Sequence, residues 1–273
     1  MRFQCLSRLP GNYAFLERND FVIVYENGDS FVMISQHHHA LLSGQFAREL
    51  KEAYWPNLLA HEDVLLAIKE HDRGWIPLDE VPFWNDRRQA PYSFLDFPLA
   101  TKLTFYQKGI EEIGSQTSYG AYLCSKHYQS FFNGANSNQA ISFYNSEESR
   151  QINLRETFEI PESLLTFHFQ LLQFCDDLSL YACFQEPGVS KEDEISWYRN
   201  GFPQPFYFLK NDEKVMAHWL NQDRIRISHP LFNKEQSFEV QIKRVAKADI
   251  STEGIANAYQ STPFETRTFF FQN

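Results

Sequence analysis

Residues 161–186 constrain this chain more than any other stretch. Leu164, Leu165, Phe167, Phe169, Leu172, Leu178 and Leu180 recur there at helical spacing, and Asp176 and Asp177 lie inside the same run. A helix this rich in apolar side chains belongs in a core. A carboxylate carried into that core without a partner costs several kcal/mol, so the stretch predicts either a capped, hydrogen-bonded acid or a cation held against one of the two aspartates.

Helical spacing recurs upstream. Ser35 stands where an N-cap belongs, ahead of Leu41, Leu42, Phe46, Ala47 and Leu50, so a first helix begins around His37, His38 and His39. Residues 61–73 predict a second helix with Val64, Leu65 and Ile68 on one side and Gly74 as its stop. Further helices are expected at 99–115, 119–132 and 143–155. A connection carrying Pro77, Pro82, Trp84, Pro91 and Pro98 separates the second and third helices, long enough to be functional or to cover the core.

The two flanks read differently. Phe21-Val22-Ile23-Val24-Tyr25 and Ser30-Phe31-Val32-Met33-Ile34 surround an Asn27-Gly28 turn and predict a hairpin. After Pro187, β-prone runs occur at 205–209, 215–219, 224–227, 238–242 and 266–271, with the charged stretch at 191–194 read as a solvated linker. These strands are too few for a comfortable sheet alone, so pairing with the hairpin is expected. The result is one domain over 1–273, mainly α. Its helical core spans 36–190, and the β-rich flanks at 1–35 and 191–273 form a small sheet.

Composition excludes whole classes of partner. A net charge of -10 argues against coating nucleic acid or binding an anionic membrane, which both require clustered cations. With 26 Phe, 13 Tyr and 5 Trp the chain has ample area for a core and for flat ligand-binding surfaces. No segment reaches the roughly 18 apolar residues of a membrane span, and the first residues lack the apolar run of a signal peptide. Cys5, Cys124, Cys175 and Cys183 show no Cys-x-x-Cys spacing and read as reduced. A cytoplasmic protein acting on a small molecule is the expectation, with a homodimer left open.

The chemistry-bearing residues are spread one per helix. His39 on the first helix, the vicinal pair His71 and Asp72 on the second, His127 on the fourth and Asp176 on the last would form a mixed nitrogen and oxygen site. Such a site suits Mn, Fe, Ni or Zn better than Ca or Mg. His37 and His38 compete with His39, but successive helix positions point about 100° apart, so the three cannot all face one centre. Each residue taken alone has an ordinary structural explanation. Together they predict one or two divalent transition-metal ions.

The segments Gln36-His37-His38-His39-Ala40-Leu41-Leu42-Ser43-Gly44-Gln45, His71-Asp72-Arg73-Gly74-Trp75, Pro91-Tyr92-Ser93-Phe94-Leu95 and Cys175-Asp176-Asp177-Leu178-Ser179-Leu180-Tyr181 resemble an uncharacterised bacterial domain-of-unknown-function family. That family is similar in turn to the HD-domain superfamily of metal-dependent phosphohydrolases. The resemblance implies an HD-like helical bundle with His39, His71, Asp72 and Asp176 as metal ligands and His127 as a further ligand or substrate contact. It also implies hydrolysis of a small phosphate ester or nucleotide. Asp72 would orient or deprotonate the attacking water, Arg73 and Lys126 would meet phosphoryl oxygens, and Trp75 and Tyr92 would line the substrate pocket. The same kind of site admits a di-iron oxidase or oxygenase, and a non-catalytic ligand-binding member is the third reading.

Overall fold

The computed structural model describes residues 23–94, 96–203, 213–233 and 236–272. Phe21, Val22, Cys5 and the 205–209 run fall outside them. The chain opens with a hairpin, β1 (Val24–Asn27) and β2 (Ser30–Met33), whose register pairs Asn27 with Ser30 and leaves Gly28 and Asp29 as the loop. Gly28 takes φ +56°, which suits glycine at the first loop position of so tight a turn.

Helix α1 (Gln36–Glu49) starts where Ser35 predicts, the Ser35 hydroxyl accepting the His38 N–H at 3.0 Å. Then follow α2 (His61–Glu70), a short α3 (Ile76–Asp79), a two-residue ladder of β3 (Trp84–Asn85) with β4 (Ala90–Pro91), and α4 (Leu99–Gly114). Helices α5 (Ser118–Ser130), α6 (Asn138–Arg155) and α7 (Glu162–Cys183) complete the helical layer. As its composition demands, α7 is the buried one, with Leu164, Leu165, Phe167, Leu171, Leu172, Phe174, Leu178 and Leu180 all in the core.

The C-terminal part contributes β5 (Ala217–Trp219), β6 (Arg224–Ile227), β7 (Ser237–Ala246), α8 (Lys247–Ser261) and β8 (Glu265–Gln272). With the hairpin these strands build a six-stranded sheet in the order β1-β2-β7-β8-β6-β5. All neighbours are antiparallel except β6 and β8.

This sheet overturns the expectation of a mainly helical, HD-like bundle with a small β appendage. The ten residues of β7 alternate, so Phe238, Val240 and Ile242 face the helices while Val245 faces away. Phe46 of α1 packs edge-on to Phe238 at 4.7 Å and to Phe271 at 5.4 Å, so the helices rest on the sheet instead of closing on themselves. On the opposite face α8 covers Phe31, Met33 and Val245 with Ile250, Ile255, Ala258 and Tyr259. The architecture is helical layer, mixed sheet, single helix. A short-strand reading of 238–242 missed half of β7 and the whole of α8.

The helices that matter for chemistry meet at two levels. His71 follows α2, His127 lies in the last turn of α5 and Asp176 lies on α7, and their side chains converge. Roughly two turns earlier on the same helices, Tyr119 of α5 meets His168 of α7 at 2.6 Å, and Trp55 bridges His168 to His61 of α2. Contacts at both levels mean that α2, α5 and α7 run in the same direction.

Candidate metal centre

The first turn of α1 separates the three histidines. His37 gives its backbone N–H to Asp79 at 3.1 Å, His38 packs edge-on to Phe264, and His39 alone points into the molecule, 1% exposed. A chain of hydroxyls meets His39 on its Nδ1 side. Ser43 donates to Ser179 at 2.9 Å and Ser179 donates to the Asp176 carbonyl at 2.8 Å. With Ser179's one hydrogen given to that carbonyl, its 2.8 Å contact with His39 Nδ1 is one in which it accepts. In that arrangement Nδ1 carries the proton, and Nε2 faces Asp72 Oδ2 at 2.8 Å.

At the end of α2 the chain delivers the vicinal pair. The helix stops at Glu70, His71 is its C-cap, and Asp72 leaves helical geometry at φ -105°, ψ 21°. The pair therefore sits on the exit turn and not within the helix. Gly74 permits that turn to press on α4, since a Cβ there would lie 2.4 Å from the Phe105 carbonyl oxygen. His71 Nδ1 sits 2.8 Å from the Ile68 carbonyl, an acceptor only, so Nδ1 is protonated and Nε2 turns toward the centre. That Nε2 is buried, lies 3.4 Å from Asp176 Oδ1, and makes no hydrogen bond of good geometry among the described residues.

Helices α5 and α7 close the group. His127 Nε2 is 3.5 Å from Asp176 Oδ2, and the His39, His71 and His127 rings follow one another edge to face at 5.1 Å spacings. Asp177 turns away to accept from the Tyr198 hydroxyl at 3.3 Å. Burial, reinforced by the neighbouring Asp176 charge, pushes Asp177 well above the usual carboxylate range.

The electrostatics are those of a compact charge cluster. Burial opposes ionisation of Asp176, but the nearby His71, with His127 and His39, holds it down at about 2. Asp72 is lowered in the same way by His71 and His39 against its burial. Burial would depress His71, yet Asp72 and Asp176 hold it up at about 9. For His127 burial wins over the pull of Asp176, leaving it at about 4 and neutral at physiological pH.

The arrangement fits a cation. His39, His71 and Asp72, and likewise His71, His127 and Asp176, each place one donor atom within 4.8 Å of the others. Two donors about 2.1 Å from one ion stand about 3.0 Å apart at a right angle and about 3.4 Å at the tetrahedral angle. The His71–Asp176 and His127–Asp176 separations of 3.4 and 3.5 Å are close to the tetrahedral value, and the His39–Asp72 separation of 2.8 Å is slightly shorter than the right-angle one. The Asp72 and Asp176 side chains, 10% and 12% exposed, form the edge of the group nearest solvent.

The remaining sequence-predicted residues lie elsewhere. Arg73 is held by Glu70 at 3.1 Å and Glu112 at 2.8 Å, and Lys126 lies over the Tyr122 and Phe169 rings. Trp75 and Tyr92 line a cleft with Gln36, Asp79 and Phe94 above the start of α1. Sequence reasoning missed Ser43, Ser179 and Tyr128. Ser43 follows His39 by four positions and Ser179 follows Asp176 by three, the spacing that puts helix side chains together. Tyr128 carried no such signal beyond standing next to His127. Its hydroxyl lies beside the Asp72 carboxylate, and burial pushes the phenol well above its ordinary range, so it keeps its proton.

Residues 22–247 match the profile of a family described as Protein of unknown function (DUF3891). No curated protein and no solved structure gives a significant match. The similarity to HD-domain phosphohydrolases finds no counterpart in these comparisons. With most of its length inside the family profile, the chain belongs to the DUF3891 family of proteins of unknown function.

Proposed function

We propose that the five converging side chains bind a divalent transition metal, Mn, Fe, Ni or Zn, and that the protein is a metal-dependent hydrolase of a small phosphate ester or nucleotide. The observation that carries this reading is His71. Its Nδ1 is tied to a carbonyl, and its buried Nε2 is aimed between two carboxylates without a hydrogen bond of good geometry. A buried ring nitrogen in such company is accounted for by a cation, which would displace the proton that those carboxylates otherwise hold there at a pKa of about 9. His71 belongs to both donor triads, and one Nε2 lone pair serves one ion, which favours a single ion over two.

A bound cation of this kind lowers the pKa of water toward neutrality and polarises a phosphoryl oxygen. The chain's own groups do the rest. Asp72 Oδ2, 2.8 Å from His39 Nε2 and close to the solvent-facing edge, is placed to orient water and accept its proton. Ser179 and the Ile68 carbonyl keep His39 and His71 in the tautomers that direct Nε2 inward.

A second reading has its own support. Each triad is two histidines and one carboxylate, the donor set of non-haem iron oxygenases, which favours an oxidase or oxygenase. Elemental analysis of the purified protein with its His39→Ala and Asp72→Ala variants tests the site itself. Both variants are expected to lose most of the bound metal; if both keep the parent's content, the centre is not a metal site. Phosphatase assays with Mn, Ni, Co and Mg then test the hydrolase, and tight iron with a visible absorption band would transfer the weight to oxygen chemistry.

A further inference from the structure

Tyr128 is the phenol hydroxyl found among the buried polar atoms without a hydrogen-bond partner, within the described residues. Other buried tyrosine hydroxyls are paired: Tyr25 with Arg267, Tyr119 with His168 and Tyr181 with Glu194. Tyr128 is fully buried, and its hydroxyl lies next to the Asp72 carboxylate without making a bond of good geometry to it. Its ring is not free to turn away. It stacks on Tyr106 at 3.9 Å and 17°, and Tyr106 takes a hydrogen bond from Trp75. A rigidly held donor left unpaired in a core is costly unless something outside the protein accepts from it.

We propose that Tyr128 donates its hydroxyl hydrogen to the oxygen ligand that completes the centre: water at rest, and an oxygen of a phosphate group when substrate is bound. This rests on the cation reading of the site and deepens it. The helix that carries His127 to Asp176 carries Tyr128, one position on and about 100° around, to the Asp72 side of the same centre. The role is the one expected of Arg73 and Lys126, which the fold engages with Glu70 and Glu112 and with the rings of Tyr122 and Phe169. An uncharged donor adds no cation for an incoming phosphate to bind before the metal is present. Tyr128 therefore discriminates on position instead of on charge.

The test uses the full chain and its Tyr128→Phe variant, both loaded with Co(II). Inorganic phosphate is titrated while the cobalt absorption bands are followed, and cobalt content and thermal unfolding are measured alongside. Removing one hydrogen bond to a charged oxygen should weaken phosphate binding about tenfold or more, with cobalt content unchanged. Equal phosphate affinity in the two proteins overturns the assignment, as does a cobalt-loaded parent whose bands ignore phosphate. A variant that loses its cobalt shows Tyr128 supporting the ligands themselves, which also overturns it. A parent that takes up no cobalt overturns the cation reading on which the assignment stands.

Discussion

Ser179 looks like filler on an apolar helix, yet it meets His39 at Nδ1, the ring nitrogen opposite the one that faces Asp72. It is fully buried and joins α1 to α7 through His39 Nδ1, Ser43 and the Asp176 carbonyl. Substituting Ser179→Ala leaves the volume nearly unchanged but frees His39 to present the wrong tautomer, and about a 10- to 100-fold loss of metal affinity is expected. Competition against a chelator of known affinity measures it, and an unchanged constant would show that the tautomer is set elsewhere. What could be read from single residues followed from cost. A buried Asp176 needed a partner, and of His37, His38 and His39 at most one or two could face one centre, which made the acid and a histidine of that run candidates. Ser179 and Tyr128 ask for nothing that sequence displays. The charged run at 191–194 misled for the converse reason: Glu194 is fully buried, accepting from Tyr181 at 2.7 Å and from Lys191 at 2.6 Å, while its neighbours are solvated.

Among the elements, α1 is the one whose start is under strain of charge. The Asp79 carboxylate accepts the first N–H groups of the helix, a favourable place for an anion, but desolvation pushes its pKa from 3.8 up to about 8. In the unfolded chain Asp79 ionises near 3.8 and in the folded protein only near 8, so folding loses stability as pH rises from 4 toward 8. Asp79→Asn supplies the neutral form permanently and should raise the thermal midpoint by about 5 °C at pH 8 and by clearly less at pH 5. Scans at the two pH values decide it; a variant destabilised equally at both would show that the carboxylate is needed as an ion. Element boundaries were legible where a cap marked the start, as at Ser35, or where apolar periodicity ran long, as along α4, α5 and α7. They failed where neither applied. The helix end at Glu70 came earlier than Gly74 suggested because Asp72 leaves helical geometry first. α8 was hidden by the break at Gly254, with φ +79°.

At the scale of the whole molecule the sheet decides what can be removed. β8 lies between β7 and β6, with Phe269 and Phe271 buried against the helices, yet the stretch matched by the family profile stops at residue 247. A chain cut to 22–247 loses α8 and β8 and leaves β5 and β6 severed from the other strands. It should show no cooperative thermal transition by circular dichroism, and a sharp transition with native metal content would prove the sheet dispensable. Local periodicity could not foresee this, because the order of strands is set by contacts between residues more than two hundred positions apart, such as Arg267 with Tyr25. The position of β8 also sets a timetable. A ribosome has released every proposed ligand, from His39 to Asp176, before it reaches the strand that joins the two halves of the sheet. At ordinary elongation speeds that interval is on the order of ten seconds. The nascent chain thus carries its whole ligand set while its sheet is still open, and an ion captured then would be a guide for folding before it is a reagent.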